Sequence, residues 1–395
     1  MAGPRIFLSA GEASGEHYGA ALIPAIREYI PNAEFFGLGG QRMEDLGFRR
    51  IVRAEDVAVM GITEVVLHMP SIYGEYRRLK ASIRQERPDL AILIDFPDVN
   101  LSLARHLKAA GVPVLYFVSP QIWAWKKYRI RDVQRYVDRM LVIFPFEEAF
   151  YRSHGVQAKF VGHPLADLPL PTVTREDFAR ENGLDPSKQW IGLLPGSRAK
   201  EIRLNLSEMV PAAQALQQDA RYEFLLPLAP TLTEAHRAKV KAMLPALPAI
   251  TLTSDARATL RHSRASIVAS GTATVEAALI GNPFIVVYRV SPLSYAVAKR
   301  VVDVPHVAMV NLIAGRRVVP ELIQSDFTTA NTVLHLKPLL TDEAARTAMR
   351  TDLQRISDML KTSGSDSEGS GKTAVGRAAE TAVTMLKAQD PDRLL

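Results

Sequence analysis

A short apolar run, a turn of small residues, a helix and a second apolar run recur along this chain. The clearest copy is residues 265–290, ASIVASGTATVEAALIGNPFIVVYRV. Residues 267–269 lead into Ser270, Gly271 and Thr272, a helix runs on to Gly281, and Phe284–Tyr288 closes the unit. Two strands joined by a crossover helix form a βαβ unit, which belongs to a parallel sheet. Gly271 lets backbone amides come close to a ligand. The unpaired amides of a helix start carry partial positive charge, so this turn suits a phosphate. Glu276 stands one turn into the helix, where its carboxylate could accept from two neighbouring hydroxyls, as on a ribose. The same residues also suit an ordinary Thr-capped helix with a solvated glutamate.

The pattern holds over most of the chain. Strands are expected at 5–10, 34–37, 90–95, 112–119, 139–145 and 159–162, and again at 190–194, 224–227 and 250–252. Such alternation is the signature of a doubly wound parallel sheet. A length of 395 residues favours two such domains. The proline-rich stretch 166–187 reads as the linker. The expected division is 1–168, 169–345, and a C-terminal part, 346–395, with a flexible Ser/Gly-rich insert at 362–372. Cysteine is absent, which excludes disulfides and thiolate metal sites. No apolar run reaches the roughly 18 residues that span a bilayer, and the N-terminus lacks the pattern of a signal peptide. A net charge of +6 suits an anionic substrate or membrane surface and is too weak to argue for nucleic acid.

Within this frame particular residues stand where ligand chemistry is expected. Glu12 lies in the turn after the first strand, and ligands of open α/β sheets bind at the carboxyl ends of strands. Asp95 ends the strand 90–95, where burial should raise its pKa and suit it to general-base work. Asp98 can cap the next helix, and with Asp95 could instead hold a divalent metal, although no histidine stands nearby. Gly196, Ser197 and Arg198 form a second turn that can cradle a phosphate. Asn311, Arg316 and Arg317 are polar residues within an otherwise apolar segment. Val59, Ile62, Val66 and Met69 form a helical stripe in a segment that is apolar nearly all round, which means deep burial or contact with lipid. Arg77, Arg78 and Lys80 border it, and Trp123 and Trp125 precede a further run of cations, both fitting a lipid interface.

The motifs LSAGEASGE, VMGITEVV, DFPDVN, VSPQIWAWKKYRI, PFEEAFY, FVGHPLAD, LLPGSRAKEI, SGTATVEAAL and MVNLIAGRRVVPELIQ occur in this order. In this the chain resembles the lipid-A-disaccharide synthases up to about residue 340. The resemblance implies a GT-B glycosyltransferase: two Rossmann-like domains facing a cleft, with the last helix crossing back to the first. It implies transfer of 2,3-diacylglucosamine, with inversion, from UDP-2,3-diacylglucosamine to 2,3-diacylglucosamine 1-phosphate. The products are a β(1→6) disaccharide 1-phosphate and UDP. It further implies a peripheral protein of the cytoplasmic face of the inner membrane that needs no metal and no cofactor. Ser270, Gly271, Thr272, Gly196, Ser197 and Arg198 would then bind the diphosphate, Glu276 the ribose, and Asn311 the donor beside the diphosphate. Asp95 would be the base, with Glu12 orienting the acceptor or acting as the rival base. The stripe Val59, Ile62, Val66 and Met69 would face membrane or acyl chains. A homodimer exchanging C-terminal segments is compatible with the sequence. Two other readings stay open: another UDP-sugar enzyme of this fold, such as a 2-epimerase or an N-acetylglucosaminyltransferase, and a non-catalytic nucleotide- or lipid-binding membrane protein.

Overall fold

In the computed structural model the described residues are 3–58, 62–217, 219, 221–229, 232–244, 250–302, 304–362 and 372–389. Their strands are parallel throughout and fall into two sheets. The chain divides into two units, one of Met1–Asp167 with Leu360–Leu395, the other of Leu168–Met359.

Unit one holds β1 (Arg5–Ala10), β2 (Glu34–Gly39), β3 (Phe48–Arg53), β4 (Leu90–Ile94), β5 (Val114–Phe117), β6 (Arg139–Val142) and β7 (Ala158–Phe160). Their spatial order is β3-β2-β1-β4-β5-β6-β7. The order reverses between β1 and β4, whose registers place Ala10 beside Ile94. That crevice is where doubly wound sheets bind ligands. Central strands are apolar without alternation because helices cover both faces. Thus Ile6, Phe7, Leu8, Ile92, Leu93 and Ile94 are all fully buried.

The last helix, Ala374–Lys387, returns to this unit, as expected from the family resemblance. It packs on helix Ala13–Arg27 and on β4. Buried Ala374, Ala378 and Ala382 recur at four-residue steps and let the helices come close. Thr373 caps it, accepting from the Gly376 amide at 3.0 Å. Asp167 Oδ2 accepts from the Ala374 amide at 2.6 Å, and Arg377 Nε donates to the Val161 carbonyl at 2.8 Å. The insert at 362–372 falls almost wholly outside the described residues.

Helices Ala54–Ala58 and Ile62–Glu86 flank residues 59–61, which lie outside the described residues. Val59 lies outside the described residues, as do the side chains of Ile62, Val66 and Met69. Among the described residues no helix is long and apolar enough to cross a membrane.

Unit two holds β8 (Gln189–Leu194), β9 (Tyr222–Pro227), β10 (Ile250–Thr253), β11 (Ala265–Ala269), β12 (Phe284–Tyr288) and β13 (Glu321–Ile323), in the order β10-β9-β8-β11-β12-β13. The order reverses between β8 and β11, so the turns after these two strands share one edge. The stretch read as a linker carries helix Arg175–Asn182, capped by Thr174. Arg175 stacks on the buried Trp190 ring at 3.6 Å and donates to the carbonyls of Pro186, Lys188 and His262. Helix Glu343–Leu360 packs within unit two: Met349 Sδ accepts from the Phe284 amide at 3.3 Å, and Asp352 pairs with Arg316 at 2.5 Å. The chain therefore leaves unit two at Leu360 rather than at residue 346.

Candidate active site

In unit one, Asp95 and Glu12 leave the carboxyl ends of the neighbouring strands β4 and β1. Asp95 and Phe96 both adopt left-handed backbone conformations, with φ of 46° and 47°. Each such residue costs about 1–3 kcal/mol and persists only where its surroundings fix it. Here Asn100 Nδ2 donates to the carbonyls of Ile94 and Asp95 at 3.1 and 2.8 Å, and the Tyr116 hydroxyl donates to the Asp95 carbonyl at 2.6 Å. Ser9 Oγ donates to Asn100 Oδ1 at 2.6 Å, tying β1 to the same knot. The Asp95 amide still bonds to Phe117 at 3.1 Å. Gly11 is required beside this turn, because a Cβ there would meet the Phe96 ring at 2.3 Å.

Burial raises the Asp95 carboxyl to about 7, the charge of Glu12 adds to the rise, and the Phe96 amide opposes it. A carboxyl poised near neutrality is suited to take a proton. Asp98 differs. Burial pushes its pKa up, but Arg129 and Lys126 together outweigh this and hold it below the ordinary value. It pairs with Arg129 and, at 3.3 Å, with Lys126, so its carboxylate is engaged in ordering the cationic loop. Among the described residues no group of three or more His, Asp or Glu is placed to hold a metal ion.

Sequence reasoning passed over Glu147, although it lies in the PFEEAFY motif. It is buried, and burial lifts its pKa to about 7 against the hydrogen bonds it accepts. Those come from Ser119 Oγ at 2.7 Å, Trp123 Nε1 at 3.0 Å and the Phe144 amide at 3.1 Å. Glu147 thus fixes the loop that carries Trp123 and Trp125. Its helix opens with Pro145, and a glutamate at the third helical position is a capping signal readable in the sequence.

In unit two, Gly196 and Ser197 follow β8, and Ser270, Gly271 and Thr272 follow β11. Gly196 has a φ of 114°, and a Cβ there would meet Glu201 at 2.8 Å. Arg198 caps helix Ala199–Leu216 and stands 3.6 Å from Glu201, its side chain largely exposed. Asn205, fully buried, donates to the Pro195 carbonyl at 2.8 Å and accepts from the Arg289 amide at 3.1 Å, which ties the first turn to the end of β12. Gly271, with a φ of 145°, precedes helix Thr272–Ile280, and a Cβ there would meet nothing within 4 Å. Gly271 and Thr272 are exposed at the helix start. Glu276 is largely buried one turn on; burial raises its carboxyl, Arg257 opposes the rise, and Asp255 adds to it.

Asn311, which the family resemblance puts beside the donor, has its side-chain amide hydrogen-bonded within the protein. It is fully buried and its amide is engaged within its own loop. Oδ1 accepts from the amides of Val318 and Val319 at 2.7 and 3.0 Å, while Nδ2 donates to the Val319 carbonyl at 3.0 Å and to Glu321 Oε1 at 2.7 Å. Glu321 in turn accepts from the amides of Val307 and Ala308 at 3.1 and 3.0 Å. Ser270 Oγ donates to the Val307 carbonyl at 3.3 Å. Asn311 therefore acts at one remove, holding the loop on which Ser270 rests. Arg316 is held by Asp352.

Two parallel, doubly wound sheets, each with candidate ligand residues where its strand order reverses, belong to the GT-B fold class. Solved structures agree on the fold. A UDP-GlcNAc 2-epimerase from Neisseria meningitidis, bound to UDP-GlcNAc, aligns over 97% of this chain and 100% of its own with a TM-score of 0.59 at 12% identity. The calicheamicin glycosyltransferase aligns over 99% and 100% with a TM-score of 0.57 at 15% identity. A family model described as lipid-A-disaccharide synthetase matches residues 6–372. A lipid-A-disaccharide synthase from Acidobacterium capsulatum is 67% identical over 97% of both chains. The chain belongs to the lipid-A-disaccharide synthase family, and it is an enzyme that transfers a sugar.

Proposed function

We propose that this chain transfers 2,3-diacylglucosamine from UDP-2,3-diacylglucosamine to 2,3-diacylglucosamine 1-phosphate. Asp95 takes the proton of the acceptor's 6-hydroxyl as that oxygen attacks the anomeric carbon. The bond to UDP breaks on the opposite side, which inverts an α donor to a β(1→6) product. In unit two the amides of Gly271 and Thr272, with Ser270, Gly196, Ser197 and Arg198, hold the diphosphate and stabilise the charge that builds on it as it leaves. Glu276 accepts from the ribose hydroxyls, and Glu12 orients the acceptor. The observation that carries this reading is Asp95, half-buried, held at a strand end and lifted to about 7.

The test is direct. The purified chain is incubated with both acylated sugars, and released UDP is quantified. Turnover should be lost when the donor lacks its acyl chains or when Asp95 is changed to Asn. Turnover by Asp95→Asn at near the wild-type rate would remove Asp95 as the base. UDP binding without consumption of either sugar would favour a non-catalytic protein.

The same reading places the enzyme at the cytoplasmic face of the inner membrane. Tyr73, Trp125 and Tyr128 are exposed aromatics of unit one, and Lys126 lies over the Trp125 ring at 4.3 Å. Aromatics bordered by cations suit a headgroup region. Changing Trp125 and Tyr128 to Ser, or Val59, Val66 and Met69 to Ser, should release the folded protein from anionic vesicles; retention of full vesicle binding would refute the placement. A homodimer is the oligomer this reading allows, and light scattering of the full chain distinguishes it from a single chain by mass.

A further inference from the structure

Unit two carries a polar cavity, of about 270 Å³, at the amino ends of β11 and β12. This is the opposite sheet edge from Ser270 and Gly271. Arg261, Gly281, Asn282, Arg350 and Gln354 line it. Arg264 and Arg346 act on Arg350 from beside it: burial and the charges of Arg346, Arg264 and Arg261 all lower the Arg350 pKa, and only Glu343 opposes them. Glu343 is already engaged by Arg346, at 2.5 Å, and by Arg264, at 3.6 Å. Among the described residues the side chains of Arg261 and Arg350 form no hydrogen bond or ion pair. The nearby Asp358 accepts from the Gln354 amide at 2.9 Å. Three guanidiniums, of Arg264, Arg346 and Arg350, thus act on one carboxylate, and Arg261 adds its charge at Arg350, a repulsion that a bound anion would relieve.

Polar atoms in and beside the cavity are also unmatched. Asn282 is only 3% exposed. Its Nδ2 donates to the carbonyls of Leu260 and Ser263 at 2.8 Å each, which fixes the orientation of the amide. Its Oδ1 is buried and accepts nothing, and Arg346 Nε is buried and donates to nothing. Helix carboxyl ends would ordinarily repel an anion. Here the carbonyls of Leu260, Ser263, Ala277 and Ala278 are already matched by Asn282 and Gly281.

We propose that this cavity binds a small phosphate-bearing anion, with its oxygens on Arg261 and Arg350. Two sources offer that chemistry: a free phosphate ester and the headgroup of an anionic lipid. The experiment uses the full chain saturated with UDP, so that the nucleotide turns are filled. Thermal unfolding is followed in inorganic phosphate or glycerol 3-phosphate against chloride of equal ionic strength. Flotation is followed with vesicles of phosphatidylglycerol in phosphatidylcholine against phosphatidylcholine alone.

Wild type should gain more stability from the phosphate probes than from chloride. The double variant Arg261→Gln, Arg350→Gln should bind them about tenfold more weakly or worse while keeping its UDP affinity, since charge-assisted bonds carry the site. Gln354→Glu, on an exposed helix position, places a carboxylate at the rim and should abolish the gain without unfolding the chain. An arginine-dependent response to soluble phosphate supports the site with a free ester as ligand. An arginine-dependent response to anionic vesicles alone supports it with a headgroup as ligand. If neither probe depends on Arg261, Arg350 or Gln354, the proposal is overturned.

Discussion

At the scale of single residues the chemistry rests on how tightly Asp95 is held and how poorly it is solvated. Because its pKa is lifted to about 7, kcat/KM should rise with pH and level off above that value. Asp95→Asn should lower kcat/KM by about 10²–10⁴-fold and remove that limb of the profile. Stability should move the other way. Between the ordinary carboxyl pKa and about 7 the folded chain holds a proton that the unfolded chain has lost, so stability falls as pH rises through that window. The Asn variant lacks this fall. Above pH 7 it should be more stable than wild type, by on the order of 1–4 kcal/mol at about 1.4 per pKa unit, as denaturant unfolding at pH 5 and pH 8 will show. Asn311→Ala tests a residue that acts through others. It orphans the amides of Val318 and Val319 and removes a donor from Glu321. At about 1–3 kcal/mol per orphaned group, the denaturant midpoint should drop. UDP should also bind more weakly, because the loop under Ser270 is loosened. Unchanged UDP affinity in a destabilised protein would leave Asn311 a purely structural residue.

At the scale of elements, the sequence announces the strands that form apolar runs and hides two of the four edge strands. β4 and β12 are unbroken apolar runs, β1 carries Ile6, Phe7 and Leu8 together, and all three can be read directly. β3, FRRIVR, carries three arginines and lies at the sheet edge, with only Phe48 and Val52 buried, so no apolar run betrays it. β13 is three residues long and also an edge. Asp95 and Glu12 were legible because strand ends are legible. The knot that holds them was not, since Ser9, Asn100 and Tyr116 meet across segments far apart in sequence. Asn311 stands out in the sequence as a polar residue in an apolar segment, and its hydrogen bonds to Val318, Val319 and Glu321, which close its own loop, leave no local sign there. The junction after β1 makes a test at this scale. Gly11→Ala puts a methyl group on the Phe96 ring and must displace the left-handed pair beside it. Overpacking should cost about 1–3 kcal/mol. Turnover should fall while UDP binding is unchanged, because the nucleotide turns belong to unit two; a comparison of kcat with UDP affinity will show whether the two separate.

At the scale of the whole molecule, the two units differ in how the chain composes them. Unit two is continuous, from Leu168 to Met359, whereas unit one needs both Met1–Asp167 and the closing stretch from Leu360. The alternation of strand and helix made both sheets visible in the sequence. The return of the last helix came only from the family resemblance, because its short alanine-rich face pairs with helix Ala13–Arg27 some 350 residues away and leaves no local sign. The continuity of unit two makes a prediction. Residues 168–359 expressed alone should fold, since β8 to β13 and helix Glu343–Leu360 form a complete core. The fragment should retain UDP affinity, and UDP at about 100 times its Kd should stabilise it by about 2.7 kcal/mol. The complementary truncation, ending at residue 361, should leave the buried face of helix Ala13–Arg27 uncovered and orphan Asp167 and the Val161 carbonyl. That chain should keep a UDP-stabilised transition for unit two and lose the cooperative unfolding of unit one, which calorimetry with and without UDP resolves as one shifted transition and one missing. If the truncated chain instead unfolds as the full chain does, the last helix is dispensable to unit one, and the reading of its alanine face as a structural seam fails.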